Sequence, residues 1–495
     1  MHPPPVTTSP EPAAGHLRRF AIALLGLLPV GTSLWSQQMF GEVSFEQFIY
    51  HLRFGRQGLL KTDTDSIESF LLTGLLLPVA AAAVLTLLLW WIDALAPTSP
   101  RSLPLRRNAH WLVMGGGVLA FLAHFSFDDY LESLIGKDVF STHYVKPDDV
   151  VLTPNGRPRS LVIIYVESLE GTYQNSDRFG RDLLEPLTQL QHRYASFAKF
   201  PQSKGAHWTI AGIVASQCGV PLKVALLPAP DDPRVRLRQF LPGALCLGDV
   251  LRSHGYVNVF MNGPDLDFAD MGLFLRSHGY DRVYGAREWA QAGEPTTRLR
   301  AWGLRDDRLL ARARSELDAL MAAGKPFNLT LLTVDTHGPK GLMSEECRRR
   351  GAHDFPGIVT CTAGQVAEFI NYIETRGWLD RVAVVVQGDH IAMENPIHDT
   401  LETIPERVIF NLIATRPVER LSSNQATHFD MYPMLLSLAG LDPEGGRMGL
   451  GWCLLQRCNT PLPSPQRIDD FKAGLLNRSP VYETLWLPRS PPPAS

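Results

Sequence analysis

Between Phe70 and Ile92 the chain runs for 23 residues without a charged side chain. A soluble helix of that length shows a polar stripe, whereas a bilayer core needs about 20 apolar residues in a helix. Two neighbouring runs, Phe20–Trp35 and Trp111–Phe127, also lack Asp, Glu, Lys and Arg. They sit at the short end of a span and extend into their flanks. Three transmembrane helices within 16–130 are therefore expected. A cleaved signal peptide is the alternative for the first run, but no small-x-small site follows it. Arg18 and Arg19 precede the first run, and Arg101, Arg106 and Arg107 separate the second from the third without an acidic residue. Positive loops stay in the cytoplasm. This places the N-terminus inside and everything after the third span outside. Phe45, Phe48, Ile49 and Leu52 fall at helical spacing, as an interfacial helix or an ordinary packing helix would have them.

The whole-chain averages hide this. Of 495 residues, 45% are hydrophobic and 20% charged, with 47 basic against 50 acidic residues and a net charge of −3. That composition excludes a disordered chain and carries no electrostatic footprint for nucleic acid. Residues 1–15 read as a disordered tail, 131–158 as a linker, 159–485 as a catalytic domain, and 486–495 as a Pro-rich tail.

All six cysteines, Cys218, Cys246, Cys347, Cys361, Cys453 and Cys458, lie after the spans. An even set in an oxidising compartment suggests disulfides. Of 15 possible pairings, nearest neighbours give Cys218–Cys246, Cys347–Cys361 and Cys453–Cys458; six free thiols are the alternative. No Cys-x-x-Cys pair suggests zinc.

Within 159–485, short β-branched runs alternate with helical stretches at 182–195, 308–323 and 364–377. Ser160–Val166 ends in Glu167. Phe327–Val334 ends in Asp335-Thr336-His337. Arg381–Val386 ends in Gln387-Gly388-Asp389-His390. Val257–Met261 and Arg407–Ala414 are further candidate strands. Such alternation predicts an α/β fold with a mainly parallel sheet. Ligands bind such a sheet beyond the carboxyl ends of its strands. Taken singly, Glu167 reads as a helix-cap neighbour, Asp389-His390 as a turn and His337 as a loop histidine. Taken together they point to a hydrolase or transferase centred on a metal; carboxylate plus imidazole suits Mn or Zn, carboxylate plus water Mg.

Tyr165-Val-Glu-Ser-Leu-Glu170, Trp208-Thr-Ile-Ala-Gly-Ile-Val-Ala-Ser-Gln-Cys-Gly-Val-Pro-Leu222, Cys246-Leu-Gly-Asp249, Leu332-Thr-Val-Asp-Thr-His337 and Gly388-Asp-His390 resemble the alkaline phosphatase/sulfatase superfamily. The likeness is greatest to its membrane-bound phosphoglycerol transferases of osmoregulated periplasmic glucans, with lipoteichoic acid synthases and phosphoethanolamine transferases more distant. The resemblance covers about 160–455 and implies an alkaline phosphatase/sulfatase-like fold. It implies Glu167, Thr209, Asp389 and His390 as the site of one divalent metal ion, Mn or Mg rather than Zn. It implies Thr209 as nucleophile, otherwise a plain N-cap, and His337 and His428 as substrate contacts. It favours the first two disulfides. It further implies a phosphatidylglycerol donor, a periplasmic glucan acceptor, a bacterial inner membrane and a periplasmic catalytic domain. Phosphoethanolamine transfer, a lipoteichoic-acid-synthase-like polymerase and a non-catalytic scaffold are the rivals.

The chain departs from the family in two places. Cys218-Gly-Val-Pro-Leu222 has its Pro one place late and no Arg for a formylglycine site, which argues against sulfate ester hydrolysis. Where lipoteichoic acid synthases carry Trp-x-Arg, this chain has Phe268-Ala269-Asp270, so no phosphate contact is carried over. Asn262, Asp265 and Asp267 are candidates for a sugar hydroxyl. Trp302-Gly-Leu-Arg-Asp-Asp307 resembles a substrate-cleft segment, with Asp306 or Asp307 as its polar group.

Overall fold

A computed structural model describes residues 13–54, 64–95, 103–223, 239–295 and 302–489. The chain divides into two compact units, Met1–Phe48 with Thr64–Tyr130, and Ile49–Asp63 with Leu131–Ser495.

The first unit is helical. Ala14–Phe40 and Ser66–Asp93 are long and apolar enough to cross a membrane by length and composition. The helix over the third expected span, Leu103–His124, passes that test only jointly with Phe127–Ile135, from which it is bent by 63°. Arg19, near the start of the first helix, pairs with Asp93 at the end of the second at 3.0 Å, so the two run antiparallel. A Cβ on Gly117 would lie 2.1 Å from the Gly26 carbonyl oxygen. Glycine at this crossing lets two apolar helices pack backbone to backbone, the usual route to association in lipid. Helicity begins at Ala13, inside the expected tail; 1–12 lie outside the described residues. Phe45–Phe54 is helical, as its spacing predicted.

The second unit is built on a six-stranded sheet: β1 (Ser160–Val166), β2 (Val257–Asn262), β3 (Arg282–Tyr284), β4 (Phe327–Leu332), β5 (Val382–Gly388) and β6 (Asn411–Ala414). The order is β3-β2-β4-β1-β5-β6. All neighbours pair in parallel except β5 and β6. β1, β4 and β5 are buried at every position, which is why they read as continuous apolar runs. Alternate side chains still part company. Leu161, Ile163 and Tyr165 join one core, and Val162, Ile164 and Val166 the other. Helices α1 (Thr209–Cys218) and α4 (Met431–Ala439) supply the first core. Helices α2 (Asp306–Ala323) and α3 (Phe355–Thr375) supply the second.

All three nearest-neighbour disulfides are formed. The segment 131–158, expected as a linker, is folded onto the domain. Leu152–Pro154 pairs antiparallel with Leu441–Pro443, and Phe140 is wholly buried, edge-on to Tyr482. The apolar residues spaced among its charges anchor it. Trp486, in the expected C-terminal tail, is buried against Phe240; 490–495 lie outside the described residues.

Candidate metal centre and nucleophile

β1 and β5 are adjacent and parallel, with Val166 opposite Gly388. The residues that follow, Glu167 and Asp389-His390, therefore emerge side by side at the carboxyl end of the sheet. All three are buried, and one donor atom from each lies within 4.8 Å of the others. His390 Nε2 is 3.4 Å from Glu167 Oε1 and 3.4 Å from Asp389 Oδ2. His390 Nδ1 lies 2.8 Å from the Ile391 carbonyl oxygen, so that nitrogen carries a hydrogen and Nε2 is the atom turned to the carboxylates, protonated without a metal and free to ligate one.

Each donor is oriented by the backbone. Asp389 Oδ1 accepts from the Ser168 and His390 amides at 2.8 and 3.0 Å, while its Oδ2 is buried with no hydrogen-bond partner among the described residues. Glu167 accepts from the Ser168 hydroxyl. Its own amide donates to Thr333 Oγ1, and its carbonyl accepts from Thr336 Oγ1. Behind it, Glu170 accepts both Arg407 Nη2 at 2.7 Å and Nε at 3.0 Å. Arg407 Nη2 also donates to the Ala392 carbonyl at 2.6 Å, fixing the loop after His390.

A buried carboxylate oxygen with no hydrogen-bond partner, facing a second carboxylate, is costly unless positive charge satisfies it. Without a metal, protons serve. Burial and the Glu167 charge push Asp389 up to about 7. Burial lowers His390, but the two carboxylates outweigh it and raise His390 to about 9. Burial raises Glu167, but its hydrogen bond from His390 and the charges of His337 and His390 outweigh this and hold it at about 2. Two carboxylates with one imidazole fit a divalent cation.

Thr209 is the first residue of α1. Its Oγ1 donates to Glu167 Oε2 at 3.3 Å, so the hydroxyl stands at the edge of the three donors. The helix comes this close because residue 212 is glycine. A Cβ there would lie 2.0 Å from the Asp389 carbonyl oxygen. The amides of the first turn also lie beyond the helix's own hydrogen bonds, an arrangement that suits an anion.

His337 follows β4 and stacks on Trp302 with ring centroids 3.9 Å apart. Its Nδ1 is 2.6 Å from the Gly338 carbonyl oxygen. His428 lies behind the centre, wholly buried, with Nε2 3.0 Å from the Asp389 carbonyl oxygen; burial pushes it down to about 4. Of the acids near the cleft, Asp306 is fully buried and accepts the amides of Val334 and Asp335 at 2.7 and 3.2 Å. It holds the loop that carries His337 and does not face a substrate. Asp265 and Asp267, read as candidates for a sugar hydroxyl, are instead paired with Arg287. Asn262 is buried, its carbonyl accepting the Trp289 indole N–H.

Sequence reasoning missed His207. Burial, with the charges of His390 and Lys204, pushes it down to about 4. Its signal was its place two residues before Thr209. Cys246, Asp249 and His278 also cluster with ligand-like spacing, but Cys246 is spent in a disulfide.

Residues 234–441 match the sequence model of the Sulfatase family, a stretch that holds His337, Asp389, His390 and His428. The chain is 33% identical over 395 residues to a phosphoglycerol transferase I of Citrobacter koseri, covering 76% of this chain and 48% of that one. A phosphoglycerol transferase I of Salmonella typhimurium is 38% identical over 267 residues, covering 52% of this chain and 34% of the relative. The chain spans about half the length, or less, of the curated relatives it matches. A solved protein of the alkaline phosphatase superfamily from Vibrio parahaemolyticus is 22% identical with a TM-score of 0.49, covering 67% of this chain and 81% of that one. With a parallel sheet whose strand ends converge on Glu167, Asp389 and His390, and with a Sulfatase-family match over 234–441, the second unit has the alkaline phosphatase/sulfatase-like α/β fold.

Proposed function

We propose that this protein transfers phosphoglycerol from phosphatidylglycerol to a glucan hydroxyl through a phosphoglycerol–threonine intermediate. The observation that carries this is the Thr209 hydroxyl, hydrogen-bonded to Glu167 beside Asp389 and His390. The relatives' name supplies the transferred group. The apolar helices support a membrane location, where donor and leaving lipid reside; on this reading the chain sits in a bacterial inner membrane with the N-terminus cytoplasmic and the catalytic domain periplasmic.

Glu167, Asp389, His390 and the Thr209 oxygen would hold the divalent metal, Mn or Mg rather than Zn. When bound, it supplies Lewis acidity that lowers the pKa of a coordinated hydroxyl. Thr209 Oγ1 attacks phosphorus, and the bond from phosphorus to the diacylglycerol oxygen breaks. The threonine proton ends on the departing diacylglycerol. A glucan hydroxyl then attacks the same phosphorus from the opposite side, the Thr209–phosphorus bond breaks, and the acceptor's proton returns to Thr209. This is covalent catalysis with ping-pong kinetics. His337, with Nδ1 turned to Gly338, offers Nε2 to a phosphoryl oxygen, and as imidazolium it donates there. His428 supports the Asp389 backbone and, through it, the phosphate side of the site.

The test uses the full chain in micelles with phosphatidylglycerol labelled in its headgroup glycerol. Wild-type protein without acceptor acquires the label on Thr209, and adding glucan moves it to the glucan. Thr209→Ala abolishes both steps even at metal concentrations high enough to offset the loss of its oxygen as a ligand. Label transfer by Thr209→Ala refutes the intermediate, and ethanolamine-labelled donor serving better than glycerol-labelled donor refutes the transferred group.

A further inference from the structure

A second concave site opens at the opposite end of the sheet. A cavity of about 730 Å³ lies where β1, β4 and β5 begin, bounded by Ser160, Phe327 and Arg381. β1 has seven residues, so at about 3.3 Å each the cavity is some 23 Å from the metal centre. Five cations line it, Arg157, Arg159, Lys325, Arg381 and Arg457, against a single carboxylate, Asp380. Glu419 pairs with both Arg159 and Arg457. Arg157, Lys325 and Arg381 are exposed and make no ion pair among the described residues.

The plain explanation is that these cations offset helix dipoles. α2 and α4 both end at this cavity, at Gly324 and Gly440, and each carbonyl end carries roughly half a negative charge. That does not balance the site. With Asp380, Glu419, Asp442, which accepts from the lining Asn155 and Ser437, and about one unit from the two helix ends set against five cations, about one positive charge remains. Arg457 is also held in place. It sits inside the Cys453–Cys458 loop and donates to the Ser437 hydroxyl.

We propose that this cleft binds phosphodiester groups on a glycan already substituted by the enzyme. The inference rests on the transfer proposed above, which turns a neutral glucan into a polyanion. A concave pocket with a positive surplus, in which Arg157, Lys325 and Arg381 make no ion pair among the described residues, suits a phosphodiester and its sugar. A bilayer surface would call for an outward-facing patch. A substituted chain anchored here presents its unsubstituted hydroxyls to Thr209, so that a long acceptor is modified repeatedly before release.

The test uses the full chain in micelles with Thr209→Ala, to prevent turnover. The probes are glycerophosphate-substituted glucan, the same glucan unsubstituted, and phosphatidylglycerol vesicles. Replacing Arg157, Lys325 and Arg381 together by serine weakens the substituted glucan at least about tenfold, since charge-assisted contacts are lost. The neutral glucan is unaffected. All three side chains are exposed, so an unchanged unfolding midpoint is expected, and Arg381→Glu alone provides a second variant with the same direction. Equal affinity of the triple variant for the substituted glucan overturns the proposal. So does weakened vesicle binding with unchanged glucan binding, which would make the cleft a membrane contact. Loss of binding in the triple variant together with no phosphoglycerol transfer by the Thr209 enzyme upholds the cleft and refutes the function. Transfer with unchanged binding does the reverse.

Discussion

Asp389→Asn separates a metal ligand from a structural carboxylate. Asp389 Oδ1 accepts two amides, from Ser168 and His390, and asparagine keeps an oxygen there. What changes is Oδ2, the atom with no protein partner among the described residues. Burial and Glu167 already disfavour its charge, so the metal-free variant should be no less stable than wild type. Metal at 100 times its Kd stabilises the folded state by about 2.7 kcal/mol. Loss of an outer-shell partner costs up to about 100-fold in affinity, and loss of a ligand should cost at least that. At the same metal concentration the variant then gains only about 0.4 kcal/mol. Urea unfolding of the full chain in micelles, with Mn and with a chelator, measures both quantities. If the Asp389→Asn protein keeps the whole metal-dependent gain, or loses more than about 2 kcal/mol without metal, Asp389 is not a metal ligand.

Removing one carboxylate of a half-buried guanidinium is the next perturbation: Glu170→Gln leaves Arg407 with Glu402 and the Ala392 carbonyl and should cost about 1–3 kcal/mol, which urea unfolding checks. Serine at both Cys347 and Cys361 opens a loop of sequence separation 14, worth about 3 kcal/mol on the chain-entropy account, read as a lower unfolding midpoint with the other two bridges intact. In metal-free protein His390 is raised to about 9. Because the folded pKa lies above the ordinary 6.5, its stabilisation is complete below pH 6.5 and lost as pH rises through 9. Metal-free stability should therefore fall across that window, while metal affinity rises by up to about tenfold per pH unit as the competing proton leaves; calorimetric titration at pH 6.5, 7.5 and 8.5 tests the slope.

What the sequence made legible was whatever ends a buried strand. Glu167 and Asp389-His390 were readable because a parallel strand buried on both faces is a continuous apolar run, and the first polar residues after it must stand at the sheet's edge. The proposed nucleophile needed more. Thr209 opens a helix as any capping residue might, and only the family resemblance distinguished it. Pairings distant in sequence were out of reach. Asp306 carries no local mark of accepting the amides of Val334 and Asp335, nor Asp265 and Asp267 of being claimed by Arg287. The basic cleft gathers residues from 157 to 457, and no window along the chain contains it. The folding of 131–158 onto the domain was missed because its charges outvoted a few anchoring side chains, Phe140 above all.

The glycine at 212 sets a spacing that no side chain could adjust. With hydrogen in place of a methyl, the backbone of α1 lies directly on the Asp389 carbonyl, and the reach of the residue at 209 is then gauged by the main chain. Serine at 209 would keep an oxygen on the same Cβ and stay within range of Glu167. Alanine at 212 would leave every polar group chemically intact yet displace the helix and its hydroxyl together. On the proposed mechanism, a chain that keeps every donor and the Thr209 hydroxyl can thus be silenced by one carbon atom placed about a helical turn away from the chemistry.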